Sequence, residues 1–367
     1  MKIAVVFGTR PEIIKLSVLV KLAASSPGVG LEIIHTGQHY SYNLSERFLE
    51  DLGLPHIKED IAVGSMERLD QLRRMVAGLE VALENACCDL VTVQGDTNST
   101  LAGAIAGRNL SLPVAHVEAG LRCFSPLMVE EINRIAVDRI SDVCFAPTPI
   151  AAVNMEKDGL DAGKVFLVGN TIVETVRESL ETAHRRSRVL AEYELEKDRY
   201  VLITAHRQEN VDDKQRLKNL VRAFELIELP MIYPVHPRTL ERMVEFELLH
   251  RLEAISNLTL TDPLSYFDFL ELASSSRLII TDSGGIQEEC TVYKKPIIVV
   301  RDSTERPEIV GTFGQVIGSD PEAISEEVRR LDDKYREITA ALDSLPSPYG
   351  DGKASERILE TLLRLYG

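Results

Sequence analysis

The run TDSGGIQEE (281–289) puts two glycines at the opening of a helix and two glutamates one turn deeper. Ser283, Gly284 and Gly285 present bare backbone N–H groups where the helix dipole is positive, which makes a ready phosphate site. Glu289 lies four residues past Gly285, about 5.4 Å further along the helix axis. A ligand with a phosphate and a vicinal diol touches both places. A nucleoside diphosphate fits, with phosphates on the glycines and ribose hydroxyls on Glu289. A plain Ser-capped helix with surface acids explains Ser283 but not the two glycines.

Three other stretches carry carboxylates at the ends of apolar runs. QGDTNST (94–100) places Asp96 there, HVEAGLR (116–122) places Glu118 with His116 and Arg122, and VEEINR (129–134) opens a helix with Glu130 and Glu131. An N-cap role accounts for Asp96 alone, and the helix dipole accounts for first-turn glutamates. Neither accounts for Glu118 before Ala-Gly. Asp96, Glu118 and Glu130 leave successive strand ends, so they are expected to converge. Crowded carboxylates push one another's pKa apart and divide acid and base roles, as proton transfer requires.

Cations come from several loops. FGTRPEIIK (7–15) brings Arg10 and Lys15 to a helix start behind Gly8 and Pro11. TAHRQEN (204–210), YPVHPR (233–238) and RDSTERPE (301–308) add His206, Arg207, His236, Arg238, Arg301 and Arg306. In a chain of net charge −16, such local positive groups point to one anionic ligand, and the overall charge argues against broad nucleic-acid or anionic-membrane binding. The turn after the first apolar run is not GxGxxG, which disfavours a dinucleotide.

The elements that must position these groups alternate. Near-continuous apolar runs at 3–7, 32–36, 90–94, 114–118 and 164–168, then 200–204, 231–235, 257–261, 278–281, 296–300 and 315–317, read as strands buried on both faces. Helical patterns at 11–24, 66–86, 98–109 and 130–141 lie between those of the first half. This predicts doubly wound α/β folding, with ligands beyond the carboxyl ends of the strands. The length of 367 residues favours two domains. The charged segment 181–198 separates the halves, so the domains are placed at 1–170 and 171–350, followed by an amphipathic C-terminal helix in 351–367. Five cysteines without a CxxC pair read as reduced thiols, and no run reaches membrane-spanning length. A cytoplasmic protein with no metal site is expected.

GTRPE, TGQHY, QGDTNST, HVEAGLR, EEINR, HR with ENV, YPVHPR, TDSGGIQEE, RDSTERPE and YGDGKA occur in that order. Together they resemble the non-hydrolysing UDP-N-acetylglucosamine 2-epimerases, over nearly the whole chain from Gly8 to Ala354. The resemblance implies a glycosyltransferase-B type fold of two Rossmann-like domains with an interdomain cleft. It implies Asp96, Glu118, Glu130, Lys15 and His206 in catalysis, and Arg10, Phe269, Ser283, Gly284, Gly285, Glu289 and Arg306 on the UDP. It also implies a possible second, activating site at Gln38, His39, Arg207 and His236. Elimination of UDP to 2-acetamidoglucal and its re-addition would invert C2 with no cofactor, in a homodimer whose partner is a small UDP-sugar. Cys123, Val129, Arg139 and Tyr40-Ser41-Tyr42 depart from the usual family pattern. A relative acting on an oxidised or diacetamido UDP-sugar, a hydrolysing epimerase, a glycosyltransferase of the same fold and a non-catalytic UDP-sugar sensor are the competing readings.

Overall fold

The computed structural model describes residues 1–38, 49–57, 59–125 and 128–367. The chain forms two compact units, Met1–Thr175 with Tyr349–Gly367, and Val176–Pro348.

The first unit is built on seven parallel strands: β1 (Lys2–Phe7), β2 (Gly30–His35), β3 (Glu59–Asp60), β4 (Leu90–Gln94), β5 (Val114–Val117), β6 (Val143–Ala146) and β7 (Val165–Leu167). Their order is β3-β2-β1-β4-β5-β6-β7. The second unit repeats the plan with six: β8 (Val201–Thr204), β9 (Met231–Pro234), β10 (Leu258–Thr261), β11 (Leu278–Thr281), β12 (Ile297–Val299) and β13 (Gly314–Val316), ordered β10-β9-β8-β11-β12-β13. The doubly wound architecture expected from the alternation is therefore present twice.

The central strands are apolar because both faces are covered. Val91 and Val93 of β4 pack with Leu101 and Ala104 of the helix Asn98–Asn109 and with Met75 and Leu79 of the helix Arg68–Ala86. In the second unit Ile203, Ile280 and Ile298 share a core with Leu220 and Phe224. Fully burying each such side chain contributes roughly 1.5–3 kcal/mol. The C-terminal helix Ala354–Tyr366 belongs to the first unit, where it packs on the helix Arg10–Ser25. Ser355 N donates to the buried Glu174 carboxylate at 2.9 Å, and Asn170 N donates to the Tyr349 carbonyl at 2.8 Å.

In both sheets the strand order reverses between the first strand and the fourth. In the first unit that switch point opens between the carboxyl ends of β1 and β4, where GTRPE and QGDTNST begin. In the second it opens between β8 and β11, where TAHR and TDSGG begin. Loops diverge at a switch point and leave a crevice beyond the strand ends.

Two strands escaped the sequence reading. β3 has only two residues at the sheet edge, and β6 (VCFA) is four residues long with a weak strand former at each second place. The β6 residues are nevertheless all buried, held between β5 and β7.

Candidate active site

At the end of β1, Gly8 is required by its neighbours rather than by its own backbone angles. A Cβ there would stand 1.9 Å from Ser99 Oγ and 2.4 Å from Thr36 Oγ1. Arg10 then opens the helix, half-buried. Glu12, in its first turn, is buried and accepts from Gly8 N (3.0 Å), Thr9 N (2.7 Å), Thr97 Oγ1 (2.8 Å) and Thr100 Oγ1 (3.1 Å). It therefore staples the Arg10 loop to the Asp96 loop. Burial pushes its carboxyl above the ordinary value, and the Thr9, Thr97, Gly8 and Thr100 hydrogen bonds offset only part of that.

Asp96 and Glu118 leave adjacent strands. Gln94 of β4 pairs with Val117 of β5, and Gly95 N donates to the Val117 carbonyl at 3.1 Å. Asp96 is ion-paired with Arg134 on the helix Val129–Ile140, whose Asn133 amide donates to the Asp96 carbonyl at 2.9 Å. Glu118 is ion-paired with Lys15 and accepts from the Asn170 amide at 3.2 Å. Glu118 also has φ +68°, in the left-handed region. That region is uncommon for a non-glycine residue and is found where surrounding contacts over-determine the backbone. Both members of the Lys15–Glu118 pair are buried. Removing one partner from a buried ion pair leaves an uncompensated charge, at a cost of about 3–5 kcal/mol.

The paired glutamates of EEINR separate. Glu130 is exposed in the first helical turn. Glu131 is buried, accepts from Phe124 N at 3.0 Å and Cys123 N at 3.1 Å, and binds Arg134 at 2.9 Å. The same arginine thus joins Glu131 to Asp96. Sequence reasoning gave Glu131 only a helix-dipole role and passed over Asn170; for Glu131 the (i, i+3) spacing to Arg134 was the available signal. His116 and Arg122, offered as strand-tip groups, are buried in the fold instead.

In the second unit Asp282 organises the strand ends. It is fully buried and its carboxylate accepts from His206 N (3.0 Å), Arg207 N (2.9 Å) and the Asn210 amide (3.0 Å). The exposed His206 ring stands 6.0 Å from that of His236, with its Nδ1 3.7 Å from Asp282. His236 caps the helix Pro237–Glu245, accepting from Arg238 N at 3.2 Å. Desolvation, with His206 and Arg238 close by, holds its pKa below the usual histidine value.

Beyond Asp282 the helix Gly284–Tyr293 starts without a side-chain cap, although Ser283 stands at the N-cap. The two glycines differ. A Cβ on Gly284 would meet Glu305 Oε1 at 2.9 Å and the Arg306 guanidinium at 3.3 Å. A Cβ on Gly285 would meet only Ser283 Oγ at 3.9 Å and Glu289 Oε1 at 4.0 Å. Protein packing explains the first glycine and leaves the second open toward the helix terminus. Glu289 is buried one turn below.

The arginine loop is largely neutralised, which corrects the expectation that it supplies free positive charge. Arg301 is bound by Glu209 (2.8 Å) and Glu305 (2.7 Å), and Arg306 by Glu288 (2.8 Å) and Glu305 (2.8 Å). Arg207 reaches Glu305 at 3.3 Å. Phe269 is half-buried on the helix Tyr266–Ser275. Of the proposed activating-site residues, Gln38 is buried with its amide oxygen on Ser99 N (3.1 Å) and Ser99 Oγ (2.7 Å); His39 lies outside the described residues. Among the described residues no helix is long and apolar enough to cross a membrane, and no three His, Cys, Asp or Glu side chains gather as a metal site.

The family model described as UDP-N-acetylglucosamine 2-epimerase matches residues 21–363. The chain is 42% identical over 369 residues to the UDP-N-acetylglucosamine 2-epimerase of Methanocaldococcus jannaschii, covering 99% of each chain. A crystal structure of the epimerase from that organism, in complex with UDP-GlcNAc and UDP, superimposes with TM-score 0.89, covering 99% of this chain and 100% of that one. The Neisseria meningitidis enzyme bound to UDP-GlcNAc gives TM-score 0.90 at 31% identity, covering 99% and 100% of the respective chains. The UDP-2,3-diacetamido-2,3-dideoxy-D-glucuronate 2-epimerase of Pseudomonas aeruginosa is 36% identical over the full length of both chains.

Proposed function

The chain belongs to the UDP-N-acetylglucosamine 2-epimerase family, isomerases of glycosyltransferase-B type fold, and from that premise we propose that it interconverts UDP-N-acetylglucosamine and UDP-N-acetylmannosamine without hydrolysis. The observation that carries the reading is the pair of carboxylates at adjacent strand ends, each held by its own cation: Asp96 by Arg134 and Glu118 by Lys15.

The C2 proton of the sugar is not acidic, because no carbonyl adjoins that carbon. Cleavage of the anomeric C1–O bond, with UDP carrying away the electron pair, develops positive charge at C1 and makes the proton removable. One carboxylate takes it, and 2-acetamidoglucal and UDP result. A UDP oxygen then adds back to C1 while a second acid delivers a proton to the opposite face of C2. The base in one direction is the acid in the other, so two fixed carboxylates serve both.

The second unit's part is the nucleotide. The N–H groups of Gly284 and Gly285 suit the diphosphate, whereas Ser283 N, expected bare from the sequence, already donates to Thr281 Oγ1 at 2.9 Å; Glu289 suits the ribose diol. Arg10 adds a positive group and His206 a hydrogen-bonding ring for the leaving phosphate, Arg306 lines Gly284, and Phe269 lies beside the uracil. Glu130, exposed on the helix that anchors Asp96, is the third carboxylate of the proton relay. Gln38, Arg207 and His236 belong to a second UDP-sugar site in this reading, and His39 with them. The enzyme works as a cytoplasmic homodimer supplying a precursor for surface polysaccharide.

Proton NMR with UDP-N-acetylglucosamine in heavy water tests the reaction. A UDP-N-acetylmannosamine anomeric signal, with deuterium at C2 of both sugars, is expected. Free N-acetylmannosamine with UDP would replace it by the hydrolysing reaction. No exchange, together with turnover of a diacetamido UDP-uronate, would move the substrate to that class. Size-exclusion chromatography with light scattering checks the dimer.

A further inference from the structure

His116 lies in the middle of the first unit's sheet, on β5, with no exposed surface. Valines occupy positions 114 and 117 of the same strand. A buried ring with two polar nitrogens is not what packing alone would select there. Both nitrogens are used. Nδ1 lies 2.7 Å from Asp138 Oδ1, and Nε2 lies 2.8 Å from the Gly95 carbonyl oxygen. A carbonyl only accepts, so Nε2–H donates to it.

Gly95 immediately precedes Asp96, and the peptide linking them is planar. Fixing the Gly95 carbonyl therefore fixes the plane from which the Asp96 backbone departs. Gly95 has φ +78°, a conformation with no Cβ to limit drift, so the hydrogen bond supplies a restraint the side chain cannot.

Asp138 is buried in turn and reaches the second loop. Its other oxygen accepts from Gly120 N at 3.2 Å and from Arg122 at 2.7 Å. Gly120 stands two residues after Glu118, at φ +85°, where a Cβ would collide with the Ala151 carbonyl at 2.3 Å. Burial opposes ionisation of Asp138, yet the His116 hydrogen bond and the His116 and Arg122 charges outweigh it and keep its carboxyl below the usual range. One buried carboxylate thus grips the backbone on the far side of Glu118 and, through His116, the backbone on the near side of Asp96. A buried ion pair contributes little net stability compared with an apolar replacement. Its value here is geometric.

We propose that His116 is a positioning residue for the proton-transfer step, holding Asp96 through the Gly95 carbonyl while its partner Asp138 holds the Glu118 loop through Gly120. The inference rests on the reading that Asp96 and Glu118 move the C2 proton.

Two variants separate positioning from simple core filling. His116→Gln can place an amide N–H where Nε2–H stood, reaching the Gly95 carbonyl. His116→Asn reaches only the Nδ1 position, toward Asp138. A geometric displacement of about 1 Å costs on the order of a hundredfold in rate. The asparagine variant is therefore expected to lose about that factor in kcat, with KM and UDP affinity unchanged. The glutamine variant is expected to stay within about tenfold of wild type. Equal kcat in the two variants, or a loss confined to KM, would overturn the proposal. If the asparagine variant does not fold, Asp138→Asn carries the test: it turns one of the two acceptor oxygens into a donor, so the grip on either His116 or Gly120 is lost and kcat should fall; a kcat equal to wild type would overturn the proposal. Deuterium wash-in at C2 by the wild-type enzyme is measured first. Its absence would overturn the carboxylate reading itself, whereas wash-in that is equally fast in His116→Asn overturns the positioning role alone.

Discussion

The two switch points share a topology and treat their side chains in opposite ways. Beyond β4 and β5 two carboxylates are tied down: Asp96 by Arg134, Glu118 by Lys15 and Asn170, and the loops around them by Glu12 and Glu131. Beyond β11 the helix start is left uncapped at Ser283 and open above Gly285. The restraint on the carboxylates suits the proton transfer proposed for them, because misplacement is costly in rate. A missing side-chain cap suits the anion site proposed for the helix start beyond β11, because a helix terminus already satisfied by its own cap has nothing to offer a phosphate.

The largest effect should come from breaking the restrained region. Asp96→Asn and Glu118→Gln each remove a proton-transfer group, so epimerisation should fall roughly 10²–10⁴-fold while UDP affinity, measured by calorimetry, is retained. Near-normal turnover in both would dissolve the division between the two regions. Next comes Glu289→Ala, which removes a carboxylate suited to two ribose hydroxyls. UDP binding should weaken by about 1.5–3 kcal/mol, the range for charged hydrogen bonds, with less effect on the chemical step; an unchanged dissociation constant would remove Glu289 from the nucleotide site.

The paired glycines sharpen the comparison within a single turn. Gly285→Ala meets no close neighbour, so thermal stability should hold or rise by about 0.4–1 kcal/mol, while UDP affinity falls as the methyl intrudes over the bare N–H groups. Gly284→Ala must push Glu305 and Arg306 aside, so it should lower the melting temperature as well. If both alanines behave alike in melting and binding, the space above Gly285 is not a ligand's.

The smallest effect expected is on acid stability. The folded-state carboxyl of Asp138 titrates below its unfolded value. Its contribution is therefore complete above about pH 3.9 and disappears as pH falls through the lowered folded value. Denaturant melts should show the stability deficit of Asp138→Asn constant from pH 7 to about pH 4 and shrinking below that; a deficit that stays constant below about pH 4 would mean the charge of Asp138 plays no part.

Local pattern determined most of the fold and part of the site. Apolar runs of three to five residues marked eleven of the strands because burial on both faces leaves no room for polar residues. The glycines and Ser283 marked the proposed anion cradle because a helix terminus is a property of consecutive residues. The ordered motifs carried the family. What the tertiary structure decided is which polar residues hold which. Lys15 meets Glu118 across 103 positions, and Arg134 meets Asp96 across 38. Nothing in either neighbourhood announces the partner. The same pairing logic made Glu131 rather than Glu130 the buried anchor, turned Arg301 and Arg306 into partners of Glu209, Glu288 and Glu305, and gave Gly8 its reason in the side chain of Ser99. A charge in the sequence is only a charge; whether it is spent on another residue or kept for a ligand depends on contacts between distant segments, and these exist only once the strands are ordered in the sheet.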